Sequence, residues 1–194
     1  MESNHEPAYR IERWTKEHDA SQFSSNLSSI QRYIQEQAHR DVSSKTSAVF
    51  VLVESGRKLV IGYYALSSIS VLFPAVPEKM KKRIPRYPEV SGILLGRLGV
   101  DKNFSKLQTK IIGSNPRLGE LLLIDAQKRC LEHSQDVGSA LMVVDVELPT
   151  EEELKGGARD ALKFYLQYGF VQMTVNPRRV VKSMRAIALE FESA

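Results

Sequence analysis

The stretch Gly92-Ile93-Leu94-Leu95-Gly96-Arg97-Leu98-Gly99-Val100 decides how this chain folds. It is apolar at nearly every position, so the strand it predicts has no solvated face and belongs at the centre of a sheet. Arg97 is the exception: a charge inside an apolar strand implies either a substrate contact or a buried pair. On the N-terminal side, Ala48–Glu54 and Leu59–Leu66 are β-branched, apolar runs separated by the turn Ser55–Lys58, which predicts a β-hairpin. Further upstream, Phe23, Leu27, Ile30 and Ile34 form the stripe of a helix opening at Ser21, capped by Asp19 or Ser21 and ending near His39; Ala8–Trp14 predicts a first strand. On the C-terminal side the pattern predicts a helix over Leu118–Cys130, a buried strand over Ala140–Val146, a short helix over Ala158–Tyr168, and strands over Phe170–Val175 and Ala186–Phe191.

The resulting order, β-α-β-β-β-α-β-α-β-β, predicts an α+β fold, a mixed sheet with helices packed on it rather than a uniformly alternating doubly wound sheet. At 194 residues, 42% hydrophobic and 26% charged, the chain is expected to form one domain over 1–194. A chain of this length buries roughly 70% of its unfolded surface and needs no disulfide or structural metal. Cys130 is the single cysteine, which excludes an intramolecular disulfide and a thiolate-clamped zinc. His5, His18, His39 and His133 lie at no ligand-like spacing, so no metal is expected. No apolar run approaches the ~20 residues that span a bilayer, and Met1–Arg10 lacks a signal peptide's basic-then-apolar order. The expectation is a cytoplasmic protein with no membrane partner.

The net charge of +4 conceals a segregated distribution. Glu78–Glu89 carries +3, Lys102–Arg117 +4 and Asn176–Arg185 +4, which leaves −7 for the remainder, with acids gathered in Glu147–Asp160 and near the N-terminus. Clustered positive charge steers phosphates and gains from counterion release, so a polyanionic partner is implied beside the simpler reading of solvated loops.

Leu95-Gly96-Arg97-Leu98-Gly99-Val100-Asp101, a helix opening at Arg117-Leu118-Gly119-Glu120-Leu121-Leu122, and Phe164-Tyr165-Leu166-Gln167-Tyr168-Gly169-Phe170 together resemble the GNAT superfamily of N-acetyltransferases. The resemblance covers nearly the whole chain. It implies a central, mostly antiparallel sheet flanked by helices, with acetyl-CoA as cosubstrate. Leu27–Ile34, Gly62-Tyr63-Tyr64-Ala65-Leu66-Ser67 and Lys81-Lys82-Arg83-Ile84-Pro85 make the chain similar to the toxin branch of that superfamily, enzymes of toxin–antitoxin pairs that acetylate the amine of aminoacyl-tRNA.

The resemblance assigns roles residue by residue. The pyrophosphate loop, usually Q/R-x-x-G-x-G/A, falls on Ser114 to Gly119, with Ser114, Asn115, Arg117, Leu118, Gly119 and Glu120 as cofactor contacts; converging N–H donors at a helix N-terminus suit a pyrophosphate. The chain departs from the usual form: Ser114 occupies the first position and Arg117 that of the inner glycine, and Lys102–Gly113 is about nine residues longer than such connections normally are. Tyr165 matches the tyrosine that donates to the departing CoA sulfur, beside Phe164 at the cofactor. Backbone N–H groups of Leu98, Gly99 and Val100 match the oxyanion donors. Arg97, Arg86, Arg178 and Arg179 are the candidate contacts to the tRNA acceptor end. An aminoacyl ester lowers the pKa of its amine, so no dedicated base is nominated; Glu89, Asp101 and Asp145 read more simply as capping, salt-bridging or strand-end residues. A small antitoxin is an implied partner, and pairing into a homodimer is left open. The alternatives are acetylation of a protein or small-molecule amine, and a GNAT-fold binding module that no longer uses acetyl-CoA.

Overall fold

The computed structural model describes residues 9–104 and 117–193. Its seven strands are β1 (Tyr9–Arg13), β2 (Ala48–Glu54), β3 (Val60–Leu72), β4 (Glu89–Val100), β5 (Leu141–Asp145), β6 (Val171–Gln172) and β7 (Arg179–Ser183). They form one sheet in the order β1-β2-β3-β4-β5-β7-β6, which puts the apolar β4 at its centre. The β1–β2, β5–β7 and β6–β7 pairs are antiparallel, and β4 runs parallel to β5, pairing Gly92 with Leu141 through Leu95 with Val144. β4 continues five residues beyond the last of these pairs, to Val100. The helices are α1 (Ser28–Arg32), joined by a π-helical turn (Tyr33–Gln37) to α2 (Ala38–Ser43), then α3 (Glu78–Lys81), α4 (Leu118–Val137), α5 (Glu151–Lys155), α6 (Leu162–Gln167) and α7 (Met184–Glu192).

The chain divides into two compact units, Met1–Ala65 with Arg97–Asp125 and Leu66–Gly96 with Ala126–Ala194. The first has a core of Phe23, Ile30, Tyr33 and Ile34 against Val49, Val51, Val53, Val60 and Tyr63. The second packs Val71, Val76 and Val90 against Leu141, Val143, Met173 and Val181.

The helix expected from Ser21 begins seven residues later, at Ser28. Side chains satisfy the intervening backbone instead: Asp19 accepts from the Ser21 N–H at 2.8 Å, and Gln35 Nε2 donates to the carbonyls of Ala20, Ser21 and Phe23 at 3.3, 3.2 and 3.0 Å. Phe23 still reaches the core, 1% exposed, from a loop rather than from the helix. The helical path runs past His39 to Ser43 because the π-helical turn carries it on. The last expected strand, Ala186–Phe191, is instead part of α7, and the final strand is Arg179–Ser183. Ile187, Leu189 and Phe191 alternate as a strand would, but Ser183 caps a helix by accepting from the Ala186 N–H at 3.2 Å, and Met184 and Ile187 fill the buried stripe. The helix expected over Ala158–Tyr168 starts at Leu162, whose N–H is held by Asp160 at 2.9 Å. The acidic stretch before it holds α5, with a reciprocal capping box between Thr150 and Glu153.

The first unit also contains an acid-sensitive contact. Glu12 meets Lys58 Nζ at 2.8 Å and His18 Nε2 at 2.7 Å. These hydrogen bonds, Lys58's first, hold the Glu12 carboxyl down from the ordinary 4.5 to about 2. With the folded value below the unfolded one, the stability Glu12 contributes is full above about pH 4.5 and is lost as the pH falls toward 2. Glu12→Gln is expected to flatten the acid side of a plot of Tm against pH across that window; an unchanged slope would show that the contact is not coupled to folding.

Candidate active site

In the first unit, the end of β4 is fixed by its glycine. A Cβ on Gly99 would stand 2.4 Å from Ile30 Cγ2 and 3.3 Å from Tyr63 Cε1, so no other residue fits unless α1 or the strand itself shifts. Gly62 on β3 lies opposite: a Cβ there would meet Leu122 Cδ1 at 3.0 Å and the Gly99 carbonyl oxygen at 3.3 Å. Two glycines thus let β3, the end of β4 and the first turns of α4 approach closely. Leu98 and Val100 flank Gly99 and are half-buried. Asp101 closes the strand as a cap, accepting from the N–H groups of Ser24, Asn103 and Phe104 at 2.7, 2.9 and 2.9 Å, which leaves it an anchoring rather than a proton-abstracting part.

Arg97 is half-buried, its guanidinium 5.5 Å from the centroid of the Tyr33 ring. Tyr33 stacks on Tyr63 with centroids 6.0 Å apart and planes 12° from parallel. Each phenol is tied down: Tyr63 donates to the Ile30 carbonyl at 2.6 Å and Tyr33 to Asp41 at 3.0 Å. Burial, more than the Asp41 charge, pushes the Tyr33 phenol up to about 12. The arginine is therefore oriented by a cation–π stack, a support that the sequence reading of Arg97 missed; the signal is Tyr33 itself, an aromatic at the helical turn.

At the opening of α4, Leu118 is buried, Arg117 is exposed, and Gly119 has no described atom within 4 Å of where a Cβ would stand. Glu120 accepts from the Arg117 N–H at 2.8 Å, the N3-to-N-cap half of a capping box. As an acceptor it shapes the helix start and offers no donor to a phosphate. Ser114 and Asn115 lie outside the described residues.

In the second unit, α6 carries Phe164 and Tyr165. Tyr165 is 6% exposed and its ring meets Phe164 and Phe170 edge-on, at 5.2 Å and 72° and at 5.7 Å and 74°. Burial pushes its phenol well above the ordinary tyrosine value, so the hydroxyl stays protonated. Arg178 spends its guanidinium within the chain, on Asp160 at 2.8 and 2.9 Å, the Val146 carbonyl at 3.1 Å and the Glu147 carbonyl at 2.8 Å. Arg179 grips Asp145 through two hydrogen bonds of 2.6 and 2.7 Å. These bonds take up four of the five N–H groups of Arg178 but only two of the five of Arg179. Arg86 is exposed, and Glu89 accepts from the Ser70 hydroxyl. Lys182, read from the sequence only as one charge of a basic cluster, is buried in β7, its ammonium donating to Gln127, the Tyr168 carbonyl and Glu190. Its signal was a lysine directly after Val180 and Val181 in an apolar strand. Among the described residues no group of three or more His, Cys, Asp or Glu side chains could hold a metal, and no helix is long and apolar enough to cross a membrane.

A central strand ending in a close-packed glycine, a helix that opens beside it and a buried tyrosine on a short later helix suit an acyl-transfer enzyme, and comparisons with known proteins narrow the class. No family model matches the chain. A tRNA-acetylating toxin of Mycobacterium tuberculosis (strain ATCC 25618 / H37Rv) is 30% identical over 167 residues, 86% of this chain and 87% of that protein. The structure of AtaT complexed with acetyl-methionyl-tRNAfMet superposes with a TM-score of 0.76 at 22% identity, covering 94% of this chain and 99% of that one. A tyrosine-to-phenylalanine mutant of the AtaT toxin, bound to the C-terminus of the antitoxin AtaR and acetyl-CoA, gives 0.69 at 18% identity over 95% and 98%. The chain belongs to the family of tRNA-acetylating toxins.

Proposed function

We propose that this protein, working as a single domain over 1–194 in the cytoplasm, moves the acetyl group of acetyl-CoA onto the amine of an aminoacyl-tRNA and is restrained by an antitoxin. The observation that carries the reading is the 30% identity to a tRNA-acetylating toxin along nearly the whole chain. Acetyl-CoA supplies the thioester. Arg117, whose side chain is exposed, and the open backbone at Gly119 suit a pyrophosphate approaching the start of α4, with Ser114, Asn115, Leu118 and Glu120 as further cofactor contacts and Phe164 beside Tyr165 at the cofactor. The N–H groups of Leu98, Gly99 and Val100 donate to the oxyanion that forms when the neutral amine attacks the thioester carbonyl. As the new C–N bond forms and the C–S bond breaks, the amine proton passes to water, which returns a proton to the thiolate after it leaves, and Tyr165 donates a hydrogen bond to the departing sulfur. Arg86 and Arg97 meet acceptor-end phosphates, Arg179 does so beside its pair with Asp145, and Arg178 does so largely by exchanging Asp160.

The test is transfer of label from radioactive acetyl-CoA to total tRNA charged with all amino acids, with uncharged tRNA as control. Label on the charged pool alone is expected, with activity falling steeply as salt rises. Transfer to neither pool, or equal transfer to both, overturns the reading.

A further inference from the structure

Lys182 sits within β7 with its side chain 1% exposed. Its Nζ donates to acceptors on three other elements: Gln127 Oε1 of α4 at 2.8 Å, the Tyr168 carbonyl at the end of α6 at 2.7 Å, and Glu190 of α7. The ammonium also lies 5.7 Å from the centroid of the Phe170 ring. Stability alone does not ask for a lysine here. The preceding Val180 and Val181 are fully buried, and an apolar side chain of similar length would avoid desolvating a charge. What the ammonium adds is direction, three donors aimed at fixed acceptors.

One of those acceptors belongs to the turn that ends the Tyr165 helix. The Tyr168 N–H donates to the Tyr165 carbonyl at 3.0 Å, and Gly169 follows in the left-handed region at φ +78°. A Cβ on Gly169 would stand 3.3 Å from Glu190 Oε1 and 3.5 Å from both Cε and Nζ of Lys182. The glycine therefore serves the turn twice, by its φ and by admitting the lysine. α6 has only six residues, too few to hold its own last turn, and the final carbonyls of any helix lack intrahelical partners. Lys182 takes one of them and sets positive charge at the negative end of the helix.

We infer that Lys182 is a positioning residue for acetyl transfer: by holding the Tyr168 carbonyl it fixes the orientation of Tyr165, while Gln127 and Glu190 hold the ammonium in place. This rests on the reading of Tyr165 as the donor to the departing thiolate and extends it by one layer.

A double-mutant cycle tests it. Lys182→Met, Tyr165→Phe and the double variant are assayed for kcat, for KM toward acetyl-CoA and charged tRNA, and for Tm. Lys182→Met is expected to lower kcat about 10- to 50-fold, as small misplacements of a reacting group do, with both KM values within about twofold of the parent. In the Tyr165→Phe background the same change is expected to cost nothing further. Lys182→Gln keeps an N–H donor on a shorter chain; it is expected to recover part of the loss, and it carries the same cycle if Lys182→Met does not fold. Equal slowing in both backgrounds, or a loss confined to KM, overturns the positioning role and leaves the reading of Tyr165 intact. Full activity of Tyr165→Phe alone overturns that reading and this inference together.

Discussion

Tyr165→Phe is expected to lower kcat for acetylation of charged tRNA by about 10²- to 10³-fold, the usual cost of removing one donor aimed at charge that develops in the transition state. KM for either substrate should change little, because the ring, not the hydroxyl, makes the contacts with Phe164 and Phe170. Burial defines what the phenol does. It pushes the hydroxyl well above the ordinary tyrosine range, itself above that of a thiol, so complete proton transfer from Tyr165 to the leaving thiolate runs uphill. The tyrosine then acts by donating a hydrogen bond to the sulfur as negative charge arrives, and the proton released by the amine balances the reaction. The corollary is a pH profile of kcat without a tyrosine limb between pH ~6 and ~10, since the group stays protonated throughout. Retention of kcat within threefold in Tyr165→Phe, at unchanged Tm, would remove Tyr165 from the chemistry.

The parts of the fold legible in the sequence are those whose stability is local. Ala48–Glu54 is a strand over the expected seven residues because every position is β-branched, apolar or at an edge, and β4 lies at the sheet centre as its unbroken apolar run requires. The segments misread are those decided by distant partners. Ser21–Leu27 carries a helical apolar stripe, yet its backbone is claimed by Gln35 and by Asp101, the latter 77 residues from Ser24. Ala186–Phe191 alternates like a strand, and one serine cap at Ser183 decides for a helix. The same division runs through the candidate site. Tyr165 is nominated by its place in the Phe164–Phe170 motif and Gly99 only as one of the backbone donors that the resemblance implies; that Gly99 must also lack a Cβ is set by Ile30 and Tyr63, which lie far from it in sequence. The roles of Arg178 and Lys182 were not legible, because what each cation does depends on Asp160, Gln127 and Glu190, which no spacing rule ties to them. A basic cluster read along the chain thus separates in space into a framework ion pair, a buried anchor and exposed charge.

Gly99→Ala is the substitution expected to damage fold and activity together. Its Cβ would stand 2.4 Å from Ile30 Cγ2, well inside the closest approach that carbon atoms make, with Tyr63 Cε1 at 3.3 Å and Phe23 Cζ at 3.5 Å behind it. None of these neighbours can yield cheaply. Ile30 is β-branched and stiff at χ1, and its carbonyl is held by the Tyr63 hydroxyl at 2.6 Å. Tyr63 is in turn stacked on Tyr33, so the three move as a block. Relief must come from displacing either α1 or the β4 backbone at Leu98–Val100, the N–H groups proposed to receive the oxyanion. Overpacking of this kind costs about 1–3 kcal/mol, which for a chain of this size lowers Tm by roughly 2–12 °C. A shift of about 1 Å in the donors adds up to a 10²-fold loss in kcat. Gly96→Ala, three residues earlier on the same strand, is the control: its Cβ would meet nothing closer than Leu94 Cδ2 at 4.0 Å, and Tm and kcat are expected to stay at parental values. If both alanines are tolerated alike, contact with Ile30 does not set the position of the strand end, and the oxyanion donors must be held from elsewhere.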